Sequence, residues 1–169
     1  MVSKMNEKTP VTAAVRVLRA AKVPFSHHLY EYQPHGGTKV SAQALGVAEQ
    51  AVIKTLILED ERAHPLVVLM HGDCEVATGV LAKQLGMKKI VPCDPLVATK
   101  HSGYLVGGTS PFGLKKKLPI YVQSSIFKLE KIYLNGGKRG YLVGITPAIL
   151  QQLLQPILID AAQVRNFSH

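Results

Sequence analysis

Lys54 is the residue whose position in this sequence points most directly to chemistry. It interrupts the apolar, β-branched segment Val-Ile-Lys-Thr-Leu-Ile-Leu at residues 52–58. Alternate residues of a strand face opposite sides of the sheet, and both faces of this segment are apolar, as in a strand covered on both sides. An ammonium group there must reach solvent, pair with an anion or lose its proton. The segment therefore predicts either a lysine that extends into water or a cleft lysine that meets a phosphate or a developing oxyanion.

A glycine-rich segment at residues 103–113 is the second feature that could bind a ligand. Its sequence is Gly-Tyr-Leu-Val-Gly-Gly-Thr-Ser-Pro-Phe-Gly, and three lysines follow at residues 115–117. Glycines leave N–H groups uncovered and let the main chain approach a ligand closely. The segment Asn-Gly-Gly-Lys-Arg-Gly at residues 135–140 repeats this pairing of glycine with cation. Both segments fit an anion site, and the alternative is ordinary turns with exposed basic side chains.

The basic residues are concentrated in one part of the chain. There are 20 Lys and Arg against 11 Asp and Glu, which gives a net charge of +9. Within residues 83–139, only Asp94 and Glu130 oppose eleven basic residues. Those basic residues are Lys83, Lys88, Lys89, Lys100, Lys115, Lys116, Lys117, Lys128, Lys131, Lys138 and Arg139. Such a concentration is typical of proteins that bind a phosphate backbone, and the alternative is a solubilising surface.

Few side chains of the sequence suit metal or acid–base chemistry. None of the seven histidines stands in a metal-binding spacing, and no Gly-x-Ser-x-Gly motif occurs. Cys74 and Cys93 lack zinc spacing and are too few for a disulfide framework. No apolar run is long enough to span a membrane, and the N-terminus lacks a secretory core. We therefore expect a cytoplasmic protein without a metal, a cofactor or a membrane partner. If it is an enzyme, we expect it to work by positioning and backbone hydrogen bonds.

Helical and extended segments alternate along the chain. Capping residues, prolines and glycine stops predict helices from Thr9-Pro10 to about Lys22, at 41–45, at 76–85, from Asp94-Pro95 and from Thr146-Pro147. Extended segments are predicted at 25–32, 51–59, 65–71, 89–91, 120–123, 131–134 and 140–145. The polar turn at residues 59–62 predicts a hairpin between its two flanking strands. We expect one domain, residues 1–169, with a mixed sheet or small barrel packed against helices.

These segments, in this order, resemble the YbaK family of aminoacyl-tRNA deacylases, relatives of the editing domain of bacterial prolyl-tRNA synthetases. The resemblance covers nearly the whole chain, and its most specific string is Gly-Tyr-Leu-Val-Gly-Gly-x-Ser-Pro at residues 103–111. The other matching segments are Thr9-Pro10, Tyr30, residues 52–56, residues 86–89, Asp94-Pro95, residues 115–119 and residues 136–140. The sequence is most similar to the stand-alone cysteinyl-tRNA(Pro) deacylases of that family.

The resemblance implies a mixed α/β fold with a six-stranded, barrel-like sheet flanked by helices. It implies an enzyme that removes cysteine from mischarged proline tRNA without a cofactor, as the cysteine thiol attacks its own ester carbonyl. Lys54 then becomes the signature active-site residue, and Gly107 and Gly108 become main-chain donors to the ester carbonyl. Further substrate contacts are expected at Tyr30, Thr55, Thr109, Ser110, Pro111 and Asn135. The expected partners are tRNA, with prolyl-tRNA synthetase as a further one, and not DNA. The expected tRNA contacts are Lys88, Lys89, Lys115, Lys116, Lys117, Lys138 and Arg139.

Three features depart from the family pattern, and one is the loop at residues 35–37, which lacks an aromatic residue that some members place near the pocket. Leu142 stands where an acid is typical of the family, and Asn135 stands where serine is common. These departures leave open a deacylase that acts on another small amino acid, because one or two contacts decide such specificity. The sequence is also compatible with a non-catalytic tRNA- or nucleotide-binding protein of the same fold, and with a Schiff-base enzyme that uses a desolvated Lys54 amine.

Overall fold

The computed structural model describes residues 8–165, in which helices and strands alternate. The helices are α1 Ala13–Ala20, α2 Gly37–Leu45, α3 Thr78–Leu85, α4 Pro95–Ser102 and α5 Pro147–Leu154. The strands are β1 Ser26–Leu29, β2 Val52–Asp60, β3 Pro65–His71, β4 Cys74–Val76, β5 Ile90–Pro92, β6 Ile120–Gln123, β7 Ile132–Lys138, β8 Tyr141–Ile145, β9 Ile157–Ile159 and β10 Ala162–Val164. No helix within these residues is long and apolar enough to cross a bilayer.

The strands β2 and β3 form the centre of a mixed sheet. They pair antiparallel from Ile53 opposite His71 to Glu59 opposite Pro65, which confirms the predicted hairpin. The sheet has eight strands in the order β1-β8-β7-β2-β3-β6-β9, with β5 also paired to β2. The pairs β2–β7, β3–β6 and β6–β9 are parallel. The mixed α/β fold is therefore confirmed, but the sheet holds eight strands where the resemblance implied six.

Both faces of β2 are covered, as its apolar residues predict. Ile53 and Ile57 pack into the largest buried cluster, which also contains side chains of α1 and α5. Leu58 belongs to a second cluster with side chains of α3, and Val52 packs with Leu142 in a third. Burial of one such side chain contributes about 1.5–3 kcal/mol, so β2 cannot slide without losing contacts on both faces. The strand that carries Lys54 is thereby fixed in register.

The first helix begins later than Thr9-Pro10 predicts. Thr12 is its N-cap, because the Thr12 Oγ1 accepts a hydrogen bond from the Val15 N–H at 3.1 Å. The same hydroxyl donates to the Gly136 carbonyl oxygen at 2.5 Å and so ties the start of α1 to β7. The local cap at Thr12 therefore sets the start of the helix, and Thr9-Pro10 precedes it.

Two other helix starts differ from the prediction, whereas the helix ends agree with it. Gly46 and Gly86 end α2 and α3 in the left-handed conformation, as expected. However, α2 already begins at Gly37, and α3 begins only at Thr78, because Cys74–Val76 form β4 and pair with β10. The strands β4, β9 and β10 have no counterpart among the predicted ones. Each has three residues, too few to show an alternating pattern.

Gly72, between β3 and β4, offers a test of how tightly this region is packed. A Cβ atom there would lie 2.6 Å from the Val52 carbonyl oxygen and 2.7 Å from the Glu49 carbonyl oxygen. Both are main-chain atoms that cannot move without shifting the start of β2. We expect Gly72→Ala to lower the free energy of unfolding by about 1–3 kcal/mol, as measured by urea denaturation.

The matched control is Gly79→Ala on α3, where an added Cβ would meet no atom within 4 Å. Alanine favours a helix more than glycine does, so this variant should keep or raise the free energy of unfolding, by up to about 1 kcal/mol. If both variants were as stable as the wild type, the close contact at Gly72 would be wrong.

Candidate active site

A cavity of about 830 Å³ opens beside β2. Side chains of β2, the segment that precedes α2, the glycine-rich loop and β8 line it. It brings together seven of the residues that the sequence assigned to a site: Tyr30, Lys54, Thr55, Gly107, Thr109, Asn135 and Arg139. The sequence left open whether Lys54 extends into water or lies in a cleft. The structure shows it in a cleft.

Lys54 is half-buried in the wall of this cavity, and its Nζ donates a hydrogen bond to the Cys74 carbonyl oxygen. Burial lowers the pKa of Lys54 below its ordinary value, and the nearby Arg165 guanidinium lowers it further. The carboxylates of Glu75 and Glu49 oppose this effect and favour the charged amine. An ammonium group has three N–H donors, so Lys54 can hold this carbonyl and still donate to a ligand.

The charges around Lys54 belong to a network that the sequence does not reveal. The Glu49 carboxylate accepts a hydrogen bond from the Thr38 hydroxyl at 2.7 Å and forms an ion pair with Arg165 at 2.7 Å. Arg165 also donates to the Gly72 carbonyl oxygen. The pairing of β10 with β4 carries the chain to this place, because Val164 lies opposite Cys74. No local pattern could have indicated these contacts between distant segments.

The glycine-rich loop offers the Gly107 N–H group as a main-chain donor at the cavity. Gly107 has a φ of +91°, and a Cβ atom there would lie 3.0 Å from the Tyr32 hydroxyl, so glycine is required. Within residues 8–165, the Gly107 N–H group has no hydrogen-bond acceptor. The Gly108 N–H group, by contrast, donates to the Leu105 carbonyl oxygen at 2.8 Å, and Gly108 is buried outside the cavity lining. Of the two predicted donors, the structure leaves only Gly107 available.

Asn135 fastens this loop to the sheet. Its Nδ2 donates to the Gly107 carbonyl oxygen at 2.9 Å, and its Oδ1 accepts from the N–H groups of Gly137 and Lys138 at 2.7 and 3.0 Å. Both ends of the side-chain amide therefore have protein partners. Asn135 lines the cavity, and its side-chain hydrogen bonds hold the loop at Gly107 and the turn at residues 137–138.

Two residues predicted to contact the substrate lie in the interior. Ser110 and Pro111 are buried and do not line the cavity. The Ser110 Oγ accepts a hydrogen bond from the Phe112 N–H at 3.2 Å, and the buried Tyr104 hydroxyl donates to the Phe112 carbonyl oxygen at 2.6 Å. These bonds fold the second half of the loop into the core. The structure thus places Ser110 and Pro111 in the core beside the cavity and not among the residues that line it.

The predicted tRNA-binding cations are exposed, and one of them reaches the cavity. Arg139 lines the cavity, donates from its Nε to the Val106 carbonyl oxygen at 2.9 Å and lies 5.2 Å from the centre of the Tyr32 ring. The others lie on the surface outside it: Lys88, Lys89, Lys115, Lys116, Lys117 and Lys138. Of the seven predicted cations, Arg139 can therefore contact a ligand inside the cavity. The other six can contact only the part of a ligand that extends out of the cavity.

Many residues that line the cavity were absent from the predicted set, among them Tyr32, Glu75, Cys93 and Leu142. Tyr32 follows Tyr30 by two residues, so the alternation of an extended segment could have indicated it. Burial and the Glu59 carboxylate raise the pKa of the Cys93 thiol to about 11, which keeps it protonated and poorly nucleophilic near neutral pH. Within residues 8–165, no three His, Cys, Asp or Glu side chains are arranged to hold a metal ion.

Known proteins resemble this chain in both sequence and fold. Residues 35–153 match the aminoacyl-tRNA editing domain. EbsC of Enterococcus faecalis, whose assigned function is Cys-tRNA(Pro)/Cys-tRNA(Cys) deacylase, is 30% identical over 143 residues, 84% of this chain and 87% of EbsC. A proline–tRNA ligase of Brachyspira hyodysenteriae is 33% identical over 86 residues, 51% of this chain and 15% of the ligase. A solved structure described as a trans-editing enzyme for prolyl-tRNA synthetase shares the fold, with a TM-score of 0.77 at 20% identity over 92% of this chain and 99% of that one.

The contribution of Arg165 to the charge at Lys54 can be measured directly. Arg165→Gln removes a positive charge that lowers the pKa of Lys54 and frees Glu49, which favours the charged amine. Both effects have the same sign, so we expect the pKa of Lys54 to rise. NMR titration of ¹³C-labelled lysines would follow it, with the Lys54 signal assigned by its loss in Lys54→Arg.

The control for this titration is Arg16→Gln, which removes an exposed arginine of α1 and should leave the Lys54 signal unchanged. An unchanged or lower pKa of Lys54 in Arg165→Gln would contradict the contact that the structure shows.

Proposed function

This chain belongs to the aminoacyl-tRNA editing family, and we propose that it hydrolyses the ester that links cysteine to mischarged proline tRNA. The observation that carries the proposal is that Lys54 and the uncommitted N–H group of Gly107 belong to one cavity. Its volume of about 830 Å³ is within the range of small-molecule sites, about 300–1,000 Å³. Such a space suits a terminal nucleoside with an esterified amino acid.

The relatives support this choice of substrate. EbsC is named for deacylation of Cys-tRNA(Pro) and Cys-tRNA(Cys), and the match covers 87% of its length. The region shared with a proline–tRNA ligase favours proline tRNA as the acceptor. We further propose that the whole chain forms one editing domain, acts in the cytoplasm and works beside prolyl-tRNA synthetase.

The proposed nucleophile is the thiol of the esterified cysteine. Its sulfur attacks the ester carbonyl carbon, the bond from that carbon to the ribose oxygen breaks, and the thiol proton ends on the ribose oxygen. The products are free tRNA and a four-membered cyclic thioester. Water then opens the thioester to cysteine. The protein's task in this scheme is to hold the ester and stabilise the charge that develops on it.

Lys54 and Gly107 are the groups proposed for that task. Negative charge grows on the carbonyl oxygen as sulfur attacks, and fixed donors are worth most where charge develops. The Gly107 N–H group and the Lys54 ammonium supply such donors. Lys54 already donates to the Cys74 carbonyl oxygen, and Glu75 and Glu49 favour its charged form. Burial and Arg165 lower the pKa of Lys54, so the carbonyl and the two carboxylates support its charged form only in part.

The exposed cations extend the proposed site toward the tRNA. Arg139 is at the cavity, where it could hold a phosphate of the terminal nucleotide. The exposed lysines outside the cavity would contact more distant phosphates, each contributing to affinity in a salt-dependent way. Those lysines are Lys88, Lys89, Lys115, Lys116, Lys117 and Lys138.

A second candidate is a deacylase for another small amino acid, and Leu142 favours it. This side chain lines the cavity, is 4% exposed and packs with Val52, so this part of the wall is apolar. An apolar wall separates amino acids that differ by one methylene by only about 1–3 kcal/mol. Side chains such as those of alanine and proline must therefore be tested beside cysteine.

The test of the main proposal charges proline tRNA with cysteine, alanine or proline and follows loss of the ester. We expect the wild type to act on cysteine, and Lys54→Ala to lower kcat by about 10²–10³, the usual effect of losing one oxyanion donor. The control is Lys83→Ala, which removes an exposed lysine of α3 that does not line the cavity. Equal rates for Lys54→Ala and the wild type would contradict the role of Lys54. Selective loss of alanine would favour the second candidate, and no loss of any charged tRNA would refute the enzymatic function.

The role of the substrate thiol has a separate test. Methylation of the sulfur in Cys-tRNA(Pro) removes the nucleophile but keeps the side chain small. We expect the wild type to hydrolyse this ester no faster than buffer alone, while the methylated substrate still competes with Cys-tRNA(Pro) for the site. Rapid hydrolysis of the methylated ester would mean that water or a protein group attacks the carbonyl.

A further inference from the structure

Glu75 is the one carboxylate among the described residues that line the cavity. Lys54 and Arg139 line the same cavity as cations. The remaining lining residues are largely apolar or neutral, as for Leu142. A ligand group with a positive charge would therefore find a single carboxylate there.

The Glu75 carboxylate is also available to bind a ligand. Within residues 8–165, it forms no hydrogen bond or ion pair with the protein, and the residue is exposed. The neighbouring acids differ from it. Glu49 is held by Arg165 and Thr38, and the Asp73 carboxylate accepts a hydrogen bond from the Cys74 thiol at 3.6 Å and does not line the cavity. Of these three acids, only Glu75 is free to bind a ligand in the cavity.

The strand β4 places Glu75 beside Lys54. The Cys74 carbonyl oxygen accepts from the Lys54 Nζ, and Glu75 is the next residue along the strand. Glu75 lies opposite Gln163 of β10, which fixes the main chain of β4. Burial lowers the pKa of Lys54, and among the acids that oppose this effect Glu75 acts most strongly. The ammonium and the carboxylate thus stand next to each other without forming a direct ion pair.

An aminoacyl ester presents a complementary pair of groups. Its carbonyl oxygen gains negative charge during attack, and its α-ammonium is attached to the carbon next to that carbonyl. We propose that Glu75 binds the α-ammonium of the esterified amino acid while Lys54 faces the ester. This inference rests on the proposed function and adds a specificity to it: the site would accept esters with a free α-amino group. It would disfavour N-acylated esters such as peptidyl-tRNA, whose α-nitrogen is an uncharged amide.

The experiment compares Cys-tRNA(Pro) with N-acetyl-Cys-tRNA(Pro), which keeps the thiol but loses the ammonium charge. A charge-assisted hydrogen bond is worth about 1.5–3 kcal/mol, so the wild type should prefer the free amine by roughly 10- to 100-fold in kcat/KM. Glu75→Gln should remove most of this preference, because Cys-tRNA(Pro) loses its partner for the α-ammonium and slows more than the N-acetyl substrate. Glu75 also favours the charged form of Lys54, so the variant slows both substrates to some extent, and the ratio of their kcat/KM values is the readout. Asp73→Asn, which removes the neighbouring carboxylate outside the cavity, should keep the preference.

Other outcomes of this experiment would contradict either the role of Glu75 or the proposed function. An equal slowing of both substrates by Glu75→Gln, or an undiminished preference for the free amine, would overturn the role of Glu75 while leaving the deacylase in place. Failure of the wild type to hydrolyse either substrate would refute the proposed function and this inference with it. Thermal unfolding of Glu75→Gln at the wild-type temperature would show that the variant is folded.

Discussion

The structure of the site depends on holding a charged lysine in a half-buried cavity wall. Removing an ammonium group from water disfavours its charge, and at Lys54 this effect is reinforced by the positive Arg165. The protein offsets it with the Cys74 carbonyl oxygen and with the negative charges of Glu75 and Glu49. The offset is partial, because the pKa of Lys54 remains lowered. The protein therefore leaves part of the charge without a partner. Such a cation gains more interaction free energy from an anionic ligand than a fully paired cation does. The same holds for a carbonyl oxygen that becomes negative.

This constraint explains why short, distant segments converge on the start of β2. The strand itself is fixed by packing on both faces, so the compensating groups must be brought to it. The turn at Gly72 leads into β4, which supplies the Cys74 carbonyl and Glu75, and β10 pairs with β4 and delivers Arg165 to Glu49. On the other side of the cavity, Asn135 holds the loop that carries Gly107. The peripheral two-stranded sheet and the β7–β8 turn are thus supports of the cavity, although neither carries the candidate lysine.

The sequence predicts the parts of this arrangement that have a strong local signal. β2, β3 and their hairpin follow from β-branched segments around a polar turn, and the glycine loop follows from a specific string. β4 and β10 were not predicted, since Cys-Glu-Val and Ala-Gln-Val lack the consecutive β-branched residues of the equally short β5 and Ala162 pairs with the distant Val76. The same limit hid Glu75 and Arg165, whose positions depend on that pairing. The burial of Ser110 and Pro111 could not be predicted, because a motif shows which residues occur together and not which of them turn into the core.

The chemistry of the cavity side chains also bears on how a small amino acid could be selected. Cys93 is kept protonated by burial and by Glu59, and burial and Asp73 raise the pKa of Cys74 in the strand beside Lys54. Neither thiol is therefore poised to attack an ester. An apolar wall such as Leu142 discriminates weakly between side chains of similar size. Under the proposed mechanism, however, a substrate must bring its own nucleophile. An ester without a thiol could then enter the cavity and remain intact, so that selectivity would come from reactivity and the cavity would need only to admit and orient the substrate.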